Sequence, residues 1–181
     1  MNVAVPVICD AVLLDETTIR RRVDELGSQI AEDFAGKDLR LITVLKGGLF
    51  FLADLCRAID APLEIDFLAV SPYAPGQGGV VQMTKDLSDD IGGAHVVLVE
   101  DVVDTGLTVN YVLSLLRARG PESLSVCALL DKPTRRIAEV PIDYTGFSLP
   151  DRFLVGYGLD LGGLYRNLPC IATLRDDAVL S

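Results

Sequence analysis

Ten residues, Val99-Glu100-Asp101-Val102-Val103-Asp104-Thr105-Gly106-Leu107-Thr108, set three carboxylates at the end of an apolar run and follow them with Thr, Gly and Thr. The two halves suit different chemistry. Carboxylates accept hydrogen bonds from hydroxyl groups or hold a cation. A Thr-Gly-Leu-Thr turn entering a helix offers unpaired N–H groups, the positive end of a helix dipole and two hydroxyls, which together form an anion site. Read plainly, the stretch is also compatible with a strand end, an acidic or Thr cap and a helix. Other motifs fit less well. A phosphate loop of the Gly-Lys-Ser/Thr kind needs a Lys where Leu107 stands. No GxGxxG follows a strand, and Asp101 and Asp104 are three apart where an aspartyl phosphatase wants two. A ligand that needs acids and an anion loop side by side is a sugar phosphate with free hydroxyls: Glu100 and Asp101 for a diol, Thr105 to Thr108 for the phosphate.

These groups must be held at the carboxyl ends of strands. "HVVLV" (95–99) reads as a buried strand, and "LTVNYVLSLLRARG" (107–120) as a helix with Val109, Val112, Leu113 and Leu116 on one face. Upstream, Thr17 or Thr18 is expected to cap a helix with Ile19, Val23, Leu26, Ile30 and Phe34 on one face, ended by Gly36. Arg20, Arg21 and Arg22 read as a solvated basic face. Strands are expected at 39–45, 63–70, 80–84 and 123–130, with a helix over 46–59 and a loop over 71–79. Shorter strands are expected near 142–147, 153–156 and 170–174. Alternating strands and helices imply an α/β fold, a central parallel sheet flanked by helices with right-handed crossovers. The whole chain, 1–181, reads as one domain.

Composition narrows the function class. With 181 residues, half of them hydrophobic, the chain can bury a core. A formal net charge of −10 disfavours a nucleic-acid surface. No apolar run reaches the roughly 18 residues of a membrane span, and the N-terminus lacks a basic region before it turns acidic. A cytoplasmic protein is expected. Cys9, Cys56, Cys127 and Cys170 are far apart and show no metal spacing. His95 is the only histidine and reads as structural, which leaves little support for histidine-dependent catalysis.

The stretch "VLVEDVVDTGLT" resembles the phosphoribosyl-pyrophosphate motif of the type I phosphoribosyltransferases, and the rest of the chain is similar to the hypoxanthine-guanine branch of that family. The resemblance implies a small hood built from the N- and C-terminal segments. "LITVLKGGLFFLADL" (41–55) looks like the pyrophosphate loop, with Lys46, Gly47 and Gly48 and a cis peptide before the Lys. "ALLDKPTRR" (128–136) implies Lys132 over the 6-oxo group of a purine. An ammonium only donates, so it favours an oxygen over an amino group. Alone, Lys132 with Arg135 and Arg136 also reads as a solvated basic turn. "DRFLVGYGLDLGGLYRNLP" (151–169) implies Phe153 stacked on the base, Leu154 at its edge through backbone groups, Asp160 in a magnesium-bound network and Arg166 on pyrophosphate. "IDFLAVSPYAPGQGG" (65–79) resembles the family's mobile loop, with Ser71 and Tyr73 separated by Pro72.

The implied reaction joins a 6-oxopurine to ribose 5-phosphate and releases pyrophosphate, with Mg²⁺ as cofactor and Glu100, Asp101 and Asp160 near it. Asp104 is expected to face N7 of the base and share its proton. The family forms homodimers and homotetramers, and either is expected here. Two other classes are weighed against this one. A nucleotide-sensing regulator on the same fold would lose base-reading residues or gain a basic surface, and a metal-dependent phosphohydrolase would use the acid cluster alone.

Overall fold

The computed structural model describes residues 8–70 and 83–175. In chain order the elements are β1 (Cys9–Leu14), α1 (Glu16–Asp33), β2 (Leu39–Val44), α2 (Leu49–Ala58), β3 (Glu64–Val70), β4 (Met83–Lys85), β5 (His95–Val103), α3 (Leu107–Arg117), β6 (Ser123–Asp131), β7 (Tyr144–Ser148), β8 (Leu154–Val155) and β9 (Ile171–Leu174). A single 3₁₀ turn, Pro133–Arg135, follows β6.

Two periodicities create the layers. In α1, Ile19, Val23, Leu26 and Ile30 recur every three or four residues and are buried, so one face of the helix must find a partner. In the strands the period is two. Val97, Val99, Cys127 and Leu129 pack with α1 and α2. Val96, Leu98, Val126 and Ala128 pack with Val109, Val112, Leu113 and Leu116 of α3 on the other side. Both faces of the sheet are covered, which is why its strands read as unbroken apolar runs. The order is β4-β3-β2-β5-β6-β7. The pairs β2–β3, β2–β5, β5–β6 and β6–β7 are parallel, and β4 pairs antiparallel with β3 at the edge. Chain connections leave β2 toward β3 and β5 toward β6, so the topological switch point lies between β2 and β5, where such sheets bind ligands. A second, antiparallel sheet of order β1-β9-β8 forms the hood.

Several boundaries differ from the sequence reading. Asp15, not Thr17 or Thr18, caps α1: its carboxylate accepts the Thr18 N–H at 2.7 Å. A carboxylate there also meets the helix dipole, which a hydroxyl cannot match. α2 starts at Leu49, because Lys46–Gly48 form the turn before it. α3 ends at Arg117, with Gly120 at positive φ in the turn that follows. β5 runs on to Val103, so Glu100 and Asp101 lie inside the strand. β1 has no alternating pattern to announce it: four of its six residues are exposed and its pairing with β9 is bulged. Residues 80–82 of the strand expected at 80–84 lie outside the described residues.

Arg22 is not part of a solvated face. It donates to Thr145 O at 2.7 Å and Gly146 O at 3.1 Å, tying α1 to β7. His95 is structural, with Nδ1 2.7 Å from Ser123 Oγ. The four cysteines are free thiols.

Candidate active site

β5 is central and delivers two acids near its carboxyl end. Successive side chains of a strand point to opposite faces, and the strand separates the pair that the sequence reading set side by side. Asp101 lines a cleft of about 440 Å³, together with Asp104, Lys132, Arg135, Asp151, Phe153 and Asp160 among others. Glu100 is absent from that lining. It is 6% exposed, and its Oε1 is buried without a partner among the described residues. Burial, and then the Asp101 charge, push the Glu100 carboxyl well above the usual range. Burial also raises Asp101, against the pull of the Val102 N–H and the Arg166 charge.

The anion loop begins four residues after Asp101. Gly106 is the N-cap of α3 with φ +80, a left-handed conformation that favours glycine. No side chain caps the helix, so its first N–H groups face outward as donors. Thr105 Oγ1 reaches only the Leu107 N–H, at 3.4 Å. Leu107 is exposed, as is Thr108. The loop is braced from behind. Ile137 and Ala138 N–H groups donate to Thr105 O at 2.9 and 3.0 Å. A Cβ on Gly106 would meet Arg136 Cδ at 3.0 Å. Arg136 itself donates to Asp131 Oδ1 and to Val103 O. It is a buttress of the loop rather than part of a solvated basic turn.

On the base side, Lys132 is 7% exposed and donates from Nζ to Arg152 O at 2.6 Å. Burial lowers its pKa, while the Asp104 and Asp151 charges oppose that fall. Phe153 is 46% exposed in the cleft wall, and Leu154 is buried in β8. Asp104 Oδ2 pairs with Arg135 Nη1 at 3.1 Å, and Asp104 Oδ1 is buried without a partner among the described residues.

The turn after β2 packs against Asp101 and the hood. The Leu45–Lys46 peptide is cis, as the family resemblance implied, and the Lys46 side chain is exposed. A Cβ on Gly47 would stand 2.7 Å from Asp101 Cγ, and one on Gly158 would stand 3.1 Å from the Gly47 carbonyl carbon. Gly48 lies over the buried Thr43 side chain. Glycine at these positions permits the close approach of loop, strand and hood. Asp160 and Arg166 meet each other: Nη2 to Oδ1 is 2.5 Å. The Gly163 N–H donates to Asp160 Oδ2 at 2.6 Å, and Arg166 Nη1 donates to Gly158 O at 2.5 Å. The two residues expected on separate parts of the ligand therefore form one closed unit in this structure.

Ser71 and Tyr73 lie outside the described residues. Sequence reasoning did not single out Asp151 or the individual tasks of Arg135 and Arg136. The only signal available was the tandem arginine after Lys132, which is equally compatible with a solvated turn.

The fold and the cleft define a phosphoribosyltransferase: the chain belongs to the phosphoribosyl transferase domain family, whose model matches residues 12–161. Its relatives are more specific. A hypoxanthine-guanine phosphoribosyltransferase of Mycobacterium avium is 48% identical over 172 residues, covering 91% of this chain and 85% of that one. A hypoxanthine phosphoribosyltransferase of Salmonella typhimurium is 44% identical over 164 residues, covering 88% and 92%. The crystal structure of a hypoxanthine phosphoribosyltransferase from Staphylococcus aureus superposes with a TM-score of 0.94 at 43% identity, covering 100% of this chain and 99% of that one.

Proposed function

We propose that the protein acts in purine salvage, transferring the 5-phosphoribosyl group of phosphoribosyl pyrophosphate to hypoxanthine or guanine and yielding IMP or GMP with pyrophosphate. One observation carries the reading. Asp101, Asp104, Lys132 and Phe153 line a single cleft, beside a helix that begins on a glycine without a side-chain cap.

In this reading the N–H groups of Gly106, Leu107 and Thr108, with the Thr105 and Thr108 hydroxyls, take the 5′-phosphate. Asp101 accepts from the ribose hydroxyls, and Glu100 supports it from behind. The bond from C1′ to the pyrophosphate oxygen breaks as the bond from C1′ to the purine N9 forms. Positive charge that develops at C1′ is favoured by the carboxylates nearby. The purine loses a ring proton, and the Asp104 carboxylate is the acceptor. Lys132 Nζ still has donors beyond the one given to Arg152 O, and offers them to the 6-oxo oxygen. It has no acceptor for an amino group, which disfavours adenine. Phe153 stacks on the base and the Leu154 backbone meets its edge. Lys46, Gly47, Gly48 and Arg166 lie toward pyrophosphate, with Arg166 released from Asp160 as the ligand arrives.

Mg²⁺ is the proposed cofactor. The residues fit it in a limited way. Glu100 is buried, with an oxygen that has no partner among the described residues, and Asp101 beside it lines the cleft; a buried anion requires a counter-charge. No cluster of three metal-ligating side chains occurs among the described residues, which suits an ion held largely by substrate oxygens and water. The proposed holders are Glu100, Asp101 and Asp160, of which Asp101 and Asp160 line the cleft. When bound, the ion neutralises pyrophosphate charge.

The homodimer or homotetramer and the cytoplasmic location stay expectations from the resemblance. No helix among the described residues is long and apolar enough to cross a membrane. The reaction is tested by mixing purified protein, Mg²⁺ and phosphoribosyl pyrophosphate with hypoxanthine, guanine, xanthine or adenine in turn. Nucleotide should form with hypoxanthine or guanine and not with adenine. Absence of product with every base rejects the proposal.

A further inference from the structure

Four charged side chains alternate in sign around the base side of the cleft: Lys132, Asp104, Arg135 and Asp151. Arg135 is the hinge of the set. Its Nη1 lies 3.1 Å from Asp104 Oδ2 and 3.6 Å from Asp151 Oδ1. The 3₁₀ turn that carries it is fixed by backbone bonds from Arg135 N–H to Lys132 O and from Arg136 N–H to Pro133 O, both at 3.2 Å. The guanidinium therefore spans two segments, the end of β5 and the residues before β8. Asp104 is left asymmetric, with Oδ2 engaged and Oδ1 buried and without a partner among the described residues.

We infer that Arg135 is a positioning residue for the purine: by holding Oδ2 of Asp104, with Asp151 as its second anchor, it fixes the Asp104 carboxylate at the cleft wall as the group that takes the base proton. This rests on the proposed phosphoribosyl transfer and adds a specific residue to it. The distribution of charge supports the division of labour. A neutral purine entering the cleft strips water from Asp104 and Lys132 together. Lys132 must then turn donors to the base. Arg135, half-exposed in the cleft wall, keeps the Asp104 charge compensated while Lys132 is occupied. Exposed ion pairs contribute little to stability, so the contact matters for geometry rather than for folding.

The effect should fall on the base and not on the sugar, because Arg135 braces Asp104 while Arg136 braces the anion loop. Steady-state kinetics with Mg²⁺ are measured for wild type, Arg135→Ala, Arg135→Lys and Asp151→Asn, varying hypoxanthine and phosphoribosyl pyrophosphate separately. Arg135→Ala should lower kcat/KM for hypoxanthine by about 10- to 50-fold, with KM for phosphoribosyl pyrophosphate within about two-fold of wild type. Arg135→Lys should recover most of the loss, and Asp151→Asn should show a smaller loss of the same kind. Three results overturn the inference: an unchanged kcat/KM for hypoxanthine in Arg135→Ala, an equal loss for both substrates, or a Lys variant no better than Ala. An inactive wild type refutes the transfer reaction itself, and an active wild type with an unaffected Arg135→Ala refutes only the role of Arg135.

Discussion

Asp104 lines the cleft and pairs with Arg135 through Oδ2, and that placement sets what its removal should do. Loss of general-base assistance is worth roughly 10²–10⁴-fold in rate. Asp104→Ala should therefore lower kcat by that factor. Its ion pair is with a half-exposed Arg135, and it makes no cap for α3, so stability should change by less than about 1 kcal/mol. Activity and a urea midpoint measured on the same preparation check both halves. At this scale, residue types were legible in the sequence and pairings were not. Asp101, Asp104, Lys132 and Phe153 meet as their motifs implied. Nothing local shows that Asp160 closes on Arg166, or that Arg135 reaches Asp104 across 31 positions. Such contacts depend on where the sheet brings strand ends together, which spacing along one segment does not encode.

Helix faces were legible because their period is local: the buried residues of α3 are those that its apolar spacing marks. Where one element must touch another, the sequence is mute. Gly27 lies in the middle of α1, where glycine costs up to about 1 kcal/mol relative to alanine. A Cβ there would stand 2.5 Å from Ala58 Cβ and 2.7 Å from the Ala58 carbonyl carbon and oxygen. Backbone atoms at the end of α2 cannot swing aside as a side chain can. Overpacking of this kind costs about 1–3 kcal/mol and should outweigh the gain in helix propensity. Gly27→Ala should therefore lower the urea midpoint while leaving KM for either substrate within about two-fold. A midpoint at or above wild type would show that the two helices slide apart freely. β1 and the full length of β5 stayed hidden for related reasons. The first is mostly exposed and bulged, and the second ends in acids that break its apolar signature.

For the molecule as a whole, two tyrosines join layers through carboxylates. Tyr144 of β7 donates to Asp33 Oδ2 and Tyr157 of the hood donates to Asp54 Oδ2, each at 2.7 Å. Burial, then the hydrogen bond to a carboxylate, raises both phenols above their ordinary value. The unfolded chain ionises its tyrosines near pH 10, while the folded chain keeps these two protonated. Above that pH the folded state binds more protons than the unfolded state, so stability falls as pH rises. Their contribution is fully present below pH 10. Urea midpoints from pH 8 to 11 should decline at the alkaline end, and less steeply in Tyr144→Phe/Tyr157→Phe.

The hood has one more consequence, which concerns how the chain could be rewired. β1 and β9 are neighbours, Cys9 lies opposite Leu174, and the Arg175 N–H donates to Ile8 O at 3.0 Å. The beginning and the end of the described chain thus form a seam within a single sheet. A short linker across that seam, with new termini opened at the exposed turn around Gly36, would leave every strand of the central sheet in its order. Such a circular permutant should refold and keep its cleft. It would also place β1 and β9, with β8 beside β9, under one covalent closure.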